Sequence, residues 1–518
     1  MEDEGVKGRW LPVYVRSEKI ETLALYVDGQ STPPAGGDYF DSIDPYTGLV
    51  WSRVPRGTAH DVDQAVRAAH RAFTTGAWAE MTPTQRGRLL YKLGDLVAAN
   101  AERLGELEVR DNGKLLAEML GQMRYLPEWF YYYGGLADKV EGAVTPPERP
   151  GMMHYIRYEP IGVVAAISPW NSPLVLTVWK LAPALAAGNT VVVKPSEYSS
   201  ASMLYLAELF EQAGFPAGVI NVVTGMGNEI GEALVNHPLV ERIAFTGGEG
   251  GGRAVYQAAA KSFKRISLEL GGKSPNIVFD DADLDDAVKG AVAGIFAAAG
   301  QTCMAGSRLL VHDSIHDAFV EKLVAFAGSA RLGDPMSDDT DVGPIATRPQ
   351  FEKVLAYIDI AKGEGAKCVL GGERVEGLGN GLFVKPTIFT EVKNSMRIAQ
   401  EEVFGPILSV IRFETDEEAI QIANDTLYGL AAGIWTQSLE RAINMPAKLR
   451  AGTVWVNAYR VVSYLAPFGG FKNSGIGREN GKEAIREYLE AKSVFINTKR
   501  GVPSPFVMRL PSVVNTEG

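Results

Sequence analysis

From residue 160 onward, short runs of β-branched residues alternate with longer amphipathic stretches. Ile161–Ile167, Thr190–Lys194, Val219–Val223 and Glu241–Phe245 each read as a strand. Helical periodicity predicts Pro173–Ala187, Ala201–Ala213, a helix ending at Asn236 and one beginning near Arg253. Nearly continuous Val/Ile strands separated by helices predict a parallel sheet covered on both faces. A second series runs from Pro275 to Asn457. Its strands are 276–279, 308–312, 368–370, 406–413, 432–435 and 453–457, with helices such as 315–328 and 350–363 between them. Two such series imply two lobes and a cleft. Residues 1 to about 60 read as an irregular arm with short strands, and 59–120 as helical, with a start near Asp61–Asp63. The run Trp129-Phe130-Tyr131-Tyr132-Tyr133 is either core or subunit packing, or part of a substrate entrance.

Composition narrows the class. The chain has 518 residues, enough for two to four domains, and its hydrophobic fraction of 46% suits a large core. A net charge of −11 without a dense basic block argues against nucleic acid as a partner. Met1–Gly5 lacks the basic-then-apolar layout of a signal peptide, and no apolar run is long enough to span a bilayer, so no membrane role is expected. Two cysteines far apart make no disulfide framework, which fits a cytoplasmic setting.

One of those cysteines is the strongest chemical signal. Cys303 stands in Gly300-Gln301-Thr302-Cys303-Met304-Ala305-Gly306, a Gly- and Ala-rich turn after the helix from Asp285. A buried Cys is ordinarily a small hydrophobe, the reading left for Cys368. A thiolate beside a positioned carboxylate instead forms a covalent intermediate and hydrolyses it. Glu269 supplies the candidate carboxylate. It ends the strand Arg265–Leu270 before a Gly-Gly turn, where it is either a salt-bridge partner or a poorly solvated general base. Asn171, between a strand and a helix, is either a helix cap or an amide donor to an oxyanion.

Three loops suit a dinucleotide. Phe245-Thr246-Gly247-Gly248-Glu249-Gly250-Gly251-Gly252-Arg253 joins a strand to a helix, so backbone and helix N-terminus can approach a pyrophosphate. It is not the usual glycine fingerprint. Gly225-Met226-Gly227 with Gly231 misses that fingerprint by one position and is otherwise a turn. Lys194-Pro195-Ser196-Glu197 follows a strand. It is either a solvated loop or the site where an acid accepts hydrogen bonds from an adenosine ribose, which would favour NAD over NADP.

Together these segments resemble the aldehyde dehydrogenase family over about residues 25–500. Its motifs occur in order: Pro169-Trp170-Asn171, Lys194–Glu197, Phe245–Gly247, Leu268-Glu269-Leu270-Gly271-Gly272-Lys273, Gly300–Cys303, Glu401–Pro406 and Pro467–Lys472 with Ser474–Glu479. The resemblance implies an α/β fold. A Rossmann-like parallel-sheet cofactor domain (1–139 and 161–271) would accompany a second α/β catalytic domain (272–480). A small β oligomerisation arm (140–160 and 486–500) and an extended tail (501–518) would complete it.

It also implies NAD-dependent oxidation of an aldehyde to its acid, with NADP possible, in a homodimer or homotetramer. Cys303 is the implied nucleophile, Glu269 the activator of water, and Asn171 with the Cys303 backbone N–H the oxyanion donors. Glu479 would relay protons. Cofactor contacts would come from Ile167, Ser168, Pro169, Trp170, Lys194, Glu197, Gly227, Gly231, Phe245, Thr246, Gly247, Gly248, Gln350, Lys353, Glu402 and Phe404. The family commonly has Ser or Thr where Gly248 and Glu249 stand, so one phosphate contact is lost and a carboxylate is added. The presence of Glu269 favours hydrolysis over transfer to coenzyme A.

The implied substrate tunnel comprises Tyr125, Ser172, Val175, Trp179, Thr302, Met304, Arg460, Val462 and Phe468. Ser172 and Val462 replace phenylalanines of some relatives, which predicts a bulky, cyclic or aromatic aldehyde over acetaldehyde. Arg460 is either a partner for the carboxylate of a semialdehyde or a structural residue at the mouth. A catalytically retired member would be expected to lack Cys303, Glu269 or Asn171, and all three are present. An NAD-independent esterase activity of the same thiol is a further expectation.

Overall fold

The computed structural model describes residues 16–17 and 19–501. The acidic N-terminal residues and 502–518, nearly all of the expected tail, lie outside it. Two large sheets carry the molecule. The first has eight strands. Five run parallel in the order Arg265–Glu269, Val240–Thr246, Val163–Ile167, Thr190–Lys194, Ile220–Val222. Leu25–Val27 and Gln30–Thr32 extend one edge antiparallel, so part of the expected N-terminal arm is built into this sheet. Gly475–Ile476, from far along the chain, closes the other edge against Leu268 and Glu269.

Parallel strands put all their carboxyl ends on one side. Register makes this specific: Ile167 pairs with Lys194, Phe245 with Ile167, and Thr246 with Glu269. Segments distant in sequence therefore end in one row. The strands are buried on both faces, as their apolar content requires.

The second sheet has seven strands in the order Lys367–Leu370, Thr387–Thr390, Ile407–Phe413, Arg308–His312, Pro275–Val278, Ala431–Trp435, Thr453–Val456. All neighbours are parallel except the antiparallel edge pair at Lys367–Leu370. The chain leaves the first sheet at Glu269 and enters the second at Pro275. The Gly271–Lys273 segment thus bridges the carboxyl end of one sheet and the amino end of the other. Cys303 and Glu402 precede the strands that begin at Arg308 and Ile407, so they approach the same gap from the opposite side.

The expected helical stretch at 59–120 is broken into Ala59–Thr74, Ala77–Glu80, Pro83–Ala99, Ala101–Asn112 and a helix from Leu116 to Tyr125. Gly113 (φ 72°) ends one of these in the left-handed conformation a C-cap favours. The first helix starts at Ala59 rather than near Asp61, because Thr58 and Asp61 close a capping box. The helix expected near Arg253 begins at Glu249, where Glu249 and Arg253 pair across one turn and offset the glycines between them. The strand Thr387–Thr390 carried no distinct signal between Pro386 and Glu391.

A third, three-stranded antiparallel sheet joins Ala143–Thr145, Met152–Pro160 and Leu489–Asn497. Several of its apolar residues are not covered: Val144 is 71% and Phe495 65% exposed. Among the described residues, no helix is long and apolar enough to cross a membrane.

The Asp61 carboxylate accepts from Thr58 N–H, Thr58 Oγ1 and Ala35 N–H at 2.7–3.0 Å. Asp61→Ala should lower unfolding stability by about 1–2 kcal/mol. Denaturant titration checks this, and an unchanged midpoint would mean that the box contributes nothing.

Candidate active site

Three cavities lie in series along the gap between the sheets. The largest, about 620 Å³, covers the carboxyl ends of the first sheet. Ile167, Ser168, Pro169, Trp170, Lys194, Glu197, Gly227, Gly231, Phe245, Thr246, Gly247 and Gly248 all line it, as expected from the sequence. A junction of about 150 Å³ follows, holding Asn171, Glu269, Cys303, Gln350, Lys353, Glu402 and Phe404. Beyond it is a cavity of about 400 Å³ lined by all nine residues of the expected substrate tunnel. Asn171, Leu176 and Cys303 form the wall shared by the last two cavities.

The turn carrying Cys303 is held in an unusual backbone. The helix Leu284–Phe296 is capped by Asp283 and ends in Ala298 (φ 53°), Ala299 (φ 51°) and Gly300 (φ 71°). A left-handed Ala costs about 1–2 kcal/mol, so the surroundings must enforce it. The Gln301 side chain accepts from Ala346 N–H at 2.9 Å, and the Glu118 carboxylate accepts from Ala298 N–H at 3.0 Å. Gly300 packs against Gly405, whose carbonyl oxygen would lie 2.1 Å from an added Cβ.

Glu269 is 3% exposed, and neither of its oxygens has a hydrogen-bond partner. Its carboxyl is pushed well above the usual range, first by burial and then by the charge of Glu479. Cys303 is pushed up to about 12, by burial first, then by the charges of Glu402 and Glu269. Asn171 does not cap the helix that follows; its amide donates to the Gln301 carbonyl at 3.0 Å, leaving its second N–H free toward the cavities.

Glu402 accepts from Gly272 N–H at 2.9 Å. A Cβ on Gly271 would fall 2.4 Å from Glu402 Oε2, so the carboxylate would have to move from its place. Gln350 donates to the carbonyls of Val403 and Phe404 at 2.8 and 2.9 Å, and so fixes the loop on which Glu402 sits. Phe404 meets Trp170 edge-to-face at 5.3 Å.

Two expectations look different in place. Glu479 lines none of the three cavities; it is buried behind Glu269, paired with Lys180, which also donates to Thr246 Oγ1. The Glu249 carboxylate does not reach the largest cavity. Arg253, Tyr428 and Asn473 hold it.

Residues not anticipated from the sequence also line the outer cavity: Lys114, Glu118, Gly121, Gln122 and Leu176; Trp129, read as either packing or part of a substrate entrance, lines it too. Their signal was helical spacing: 118, 122, 125 and 129 share one face of successive helices.

Comparison with known proteins sets the class. The model of the aldehyde dehydrogenase family matches residues 32–494. The chain is 46% identical over 493 residues to the (Z)-2-((N-methylformamido)methylene)-5-hydroxybutyrolactone dehydrogenase of Acinetobacter baylyi, covering 95% of this chain and 100% of that one. An NAD+ complex of aldehyde dehydrogenase from Bacillus cereus superposes with a TM-score of 0.91 at 44% identity, over 92% of this chain and 97% of the other. Betaine aldehyde dehydrogenase from Staphylococcus aureus, in complex with NAD+, gives 0.92 at 42% identity, over 94% and 97%. This chain belongs to the aldehyde dehydrogenase family, and so to the oxidoreductases that act on aldehydes.

With its pKa near 12, Cys303 is almost wholly a thiol at neutral pH. Its thiolate fraction should rise about tenfold per pH unit. In a Cys368→Ala background, alkylation of the ligand-free protein by iodoacetamide should therefore keep climbing from pH 7 to 10. A plateau by about pH 9.5 would show an ordinary or depressed thiol.

Proposed function

We propose that this protein oxidises an aldehyde to its carboxylic acid with NAD, through a covalent intermediate on Cys303. The observation that carries this reading is the position of Cys303, on the wall between the junction and the outer cavity, beside a carboxylate with both oxygens unpartnered.

The residues present suit a dinucleotide. No atom lies within 4 Å of where a Cβ would stand on Gly231, Gly248 or Gly250, so backbone is open to a ligand there. Ser168 Oγ is buried and unpartnered. Glu197 lies 3.5 Å from Lys194 Nζ at a strand end, where this pair would hold an adenosine ribose. That carboxylate would also repel a 2′-phosphate, which favours NAD over NADP. Glu402, steadied by Gly272, would hold the second ribose, with Gln350 and Lys353 beside it. Bound NAD would supply the acceptor for the hydride leaving the substrate carbon.

The chain's own residues perform the rest. Cys303 Sγ adds to the carbonyl carbon, and its proton passes to Glu269. The displaced electron pair on oxygen is held by the free Asn171 N–H and the Cys303 backbone N–H. Loss of hydride re-forms the carbonyl as a thioester. Glu269, cleared of its proton, then takes one from water, which attacks the thioester. The C–S bond breaks, the acid leaves, and the thiolate takes the proton back from Glu269 to restore the thiol. Lys180 and Glu479, packed behind Glu269, offer the route by which its proton leaves.

In this reading the first sheet forms the cofactor domain and the second the catalytic domain. The exposed apolar strands around Val144 and Phe495 form an arm that pairs subunits into a dimer or tetramer. The outer cavity is broad and carries Tyr125, Trp129, Trp179 and Phe468, which favours a cyclic, aromatic or otherwise bulky aldehyde, semialdehydes included.

Asn171→Ala should lower kcat roughly 100- to 1000-fold with little change in KM for NAD, measured as NADH formation. A loss under tenfold would remove Asn171 from the oxyanion site. In the same assay, benzaldehyde should exceed acetaldehyde in kcat/KM; the reverse order would contradict the proposed fit to bulky aldehydes.

A further inference from the structure

The outer cavity is two-faced. One wall is aromatic; the other carries Lys114, Ser172, Glu118 and Arg460. Lys114 is 3% exposed, and its ammonium donates to Ser172 Oγ at 2.6 Å. No other acceptor, and no carboxylate at ion-pair distance, meets that ammonium among the described residues. An ammonium has three N–H donors, and burying one with a single neutral partner is costly.

Each nearby carboxylate spends one oxygen elsewhere, Glu118 on Ala298 N–H and Glu108 on Leu174 N–H at 2.8 Å, and keeps the other unpartnered, attracting Lys114 through its charge without a direct contact. The Ser172 hydroxyl accepts from Lys114 and keeps its own proton to donate. Across the cavity, the Trp179 indole N–H is buried without an acceptor. Unpartnered donors thus line a space that also holds Arg460, beside two unpartnered acceptors, Glu118 Oε2 and Gln122 Oε1. The wall carries two cations against one carboxylate.

We propose that Lys114, seated by Ser172, is a specificity residue that receives a carboxylate borne by the aldehyde substrate. The proposal rests on the aldehyde-oxidising reading above. One carboxylate oxygen takes an N–H of Lys114 and the other takes the Ser172 hydroxyl, while the rest of the substrate lies against the aromatic wall. The ammonium would exchange an under-satisfied burial for a paired, hydrogen-bonded one. Burial pulls Lys114 down to about 8, with Glu118 and Glu108 opposing that fall, so it is largely charged at pH 7. Its grip should weaken as pH rises through 8. Arg460, anchored to the Ala293 carbonyl at 3.3 Å, adds attraction from the mouth without replacing Lys114.

The test is steady-state NADH formation at pH 7 with aldehydes paired as carboxylate and neutral counterpart of like shape: 3- and 4-carboxybenzaldehyde against the isopropylbenzaldehydes, and succinic semialdehyde against 4-methylpentanal. At least one pair should favour the carboxylate roughly 10- to 100-fold in kcat/KM, mostly through KM. Lys114→Met should erase that preference while leaving the neutral partner within about threefold, the change expected when only the charged hydrogen bond is lost. Ser172→Ala, which disturbs folding less, should reduce the preference part of the way and preserves the test if Lys114→Met does not fold. The proposal is overturned if no pair favours the carboxylate, or if both variants depress charged and neutral partners equally. Turnover of neutral aldehydes with no such preference would sink the Lys114 role alone. No turnover of any aldehyde with NAD would sink the underlying function.

Discussion

Two ionisable groups, the half-buried Cys303 thiol and the buried Glu269 carboxyl, are held in the same small junction. Burial and their mutual repulsion with neighbouring carboxylates push both toward their neutral forms. Glu269 has none of the hydrogen-bond partners that ordinarily compensate burial, and both of its oxygens are orphaned. A folded protein keeps such a pair only where the surroundings enforce it. Here they do. Glu269 is the last residue of a buried parallel strand, fixed on both sides by pairing to Thr246 and Gly475. Cys303 rides on three consecutive left-handed residues tied down by Gln301 and Glu118.

The rest of the site follows from that junction. Because strands of the first sheet run parallel, Asn171, Glu197, Gly247 and Glu269 arrive on one edge from four separate turns. Because the second sheet presents its amino ends, Cys303 and Glu402 arrive from the opposite side. The short bridge at Gly271–Lys273 draws the two edges together, and Gly271 is the residue that lets Glu402 approach. A cavity lies on each side of the junction, and Cys303 lines the junction and the outer cavity.

Much of this was legible in the chain. Parallel-sheet logic turns loops after Val/Ile strands into neighbours, so the motifs at 169–171, 194–197, 245–248 and 268–273 could be grouped before any coordinates. Less was legible where pairing is long-range and short. Nothing about Gly475–Ile476 announces an edge strand of a sheet built two hundred residues earlier. Thr387–Thr390 was hidden because four residues between polar flanks carry no period. Lys114, Glu118 and Gln122 escaped for another reason: helical spacing shows that side chains share a face, not which cavity that face borders. Glu249 shows the reverse. Its i,i+4 partner Arg253 was visible in the sequence, and that pairing is part of what holds the carboxylate away from the largest cavity.

The account turns on an acyl group held by Cys303 and released by Glu269. Mass spectrometry of Glu269→Gln, quenched after mixing with NAD and benzaldehyde, tests this most directly. The account predicts an adduct of the substrate's acyl mass on the peptide that contains Cys303, absent when NAD is omitted and cleared within the dead time in the unsubstituted protein. Free benzoate formed by the variant at the unsubstituted rate, or an acyl group on any other residue, would contradict it.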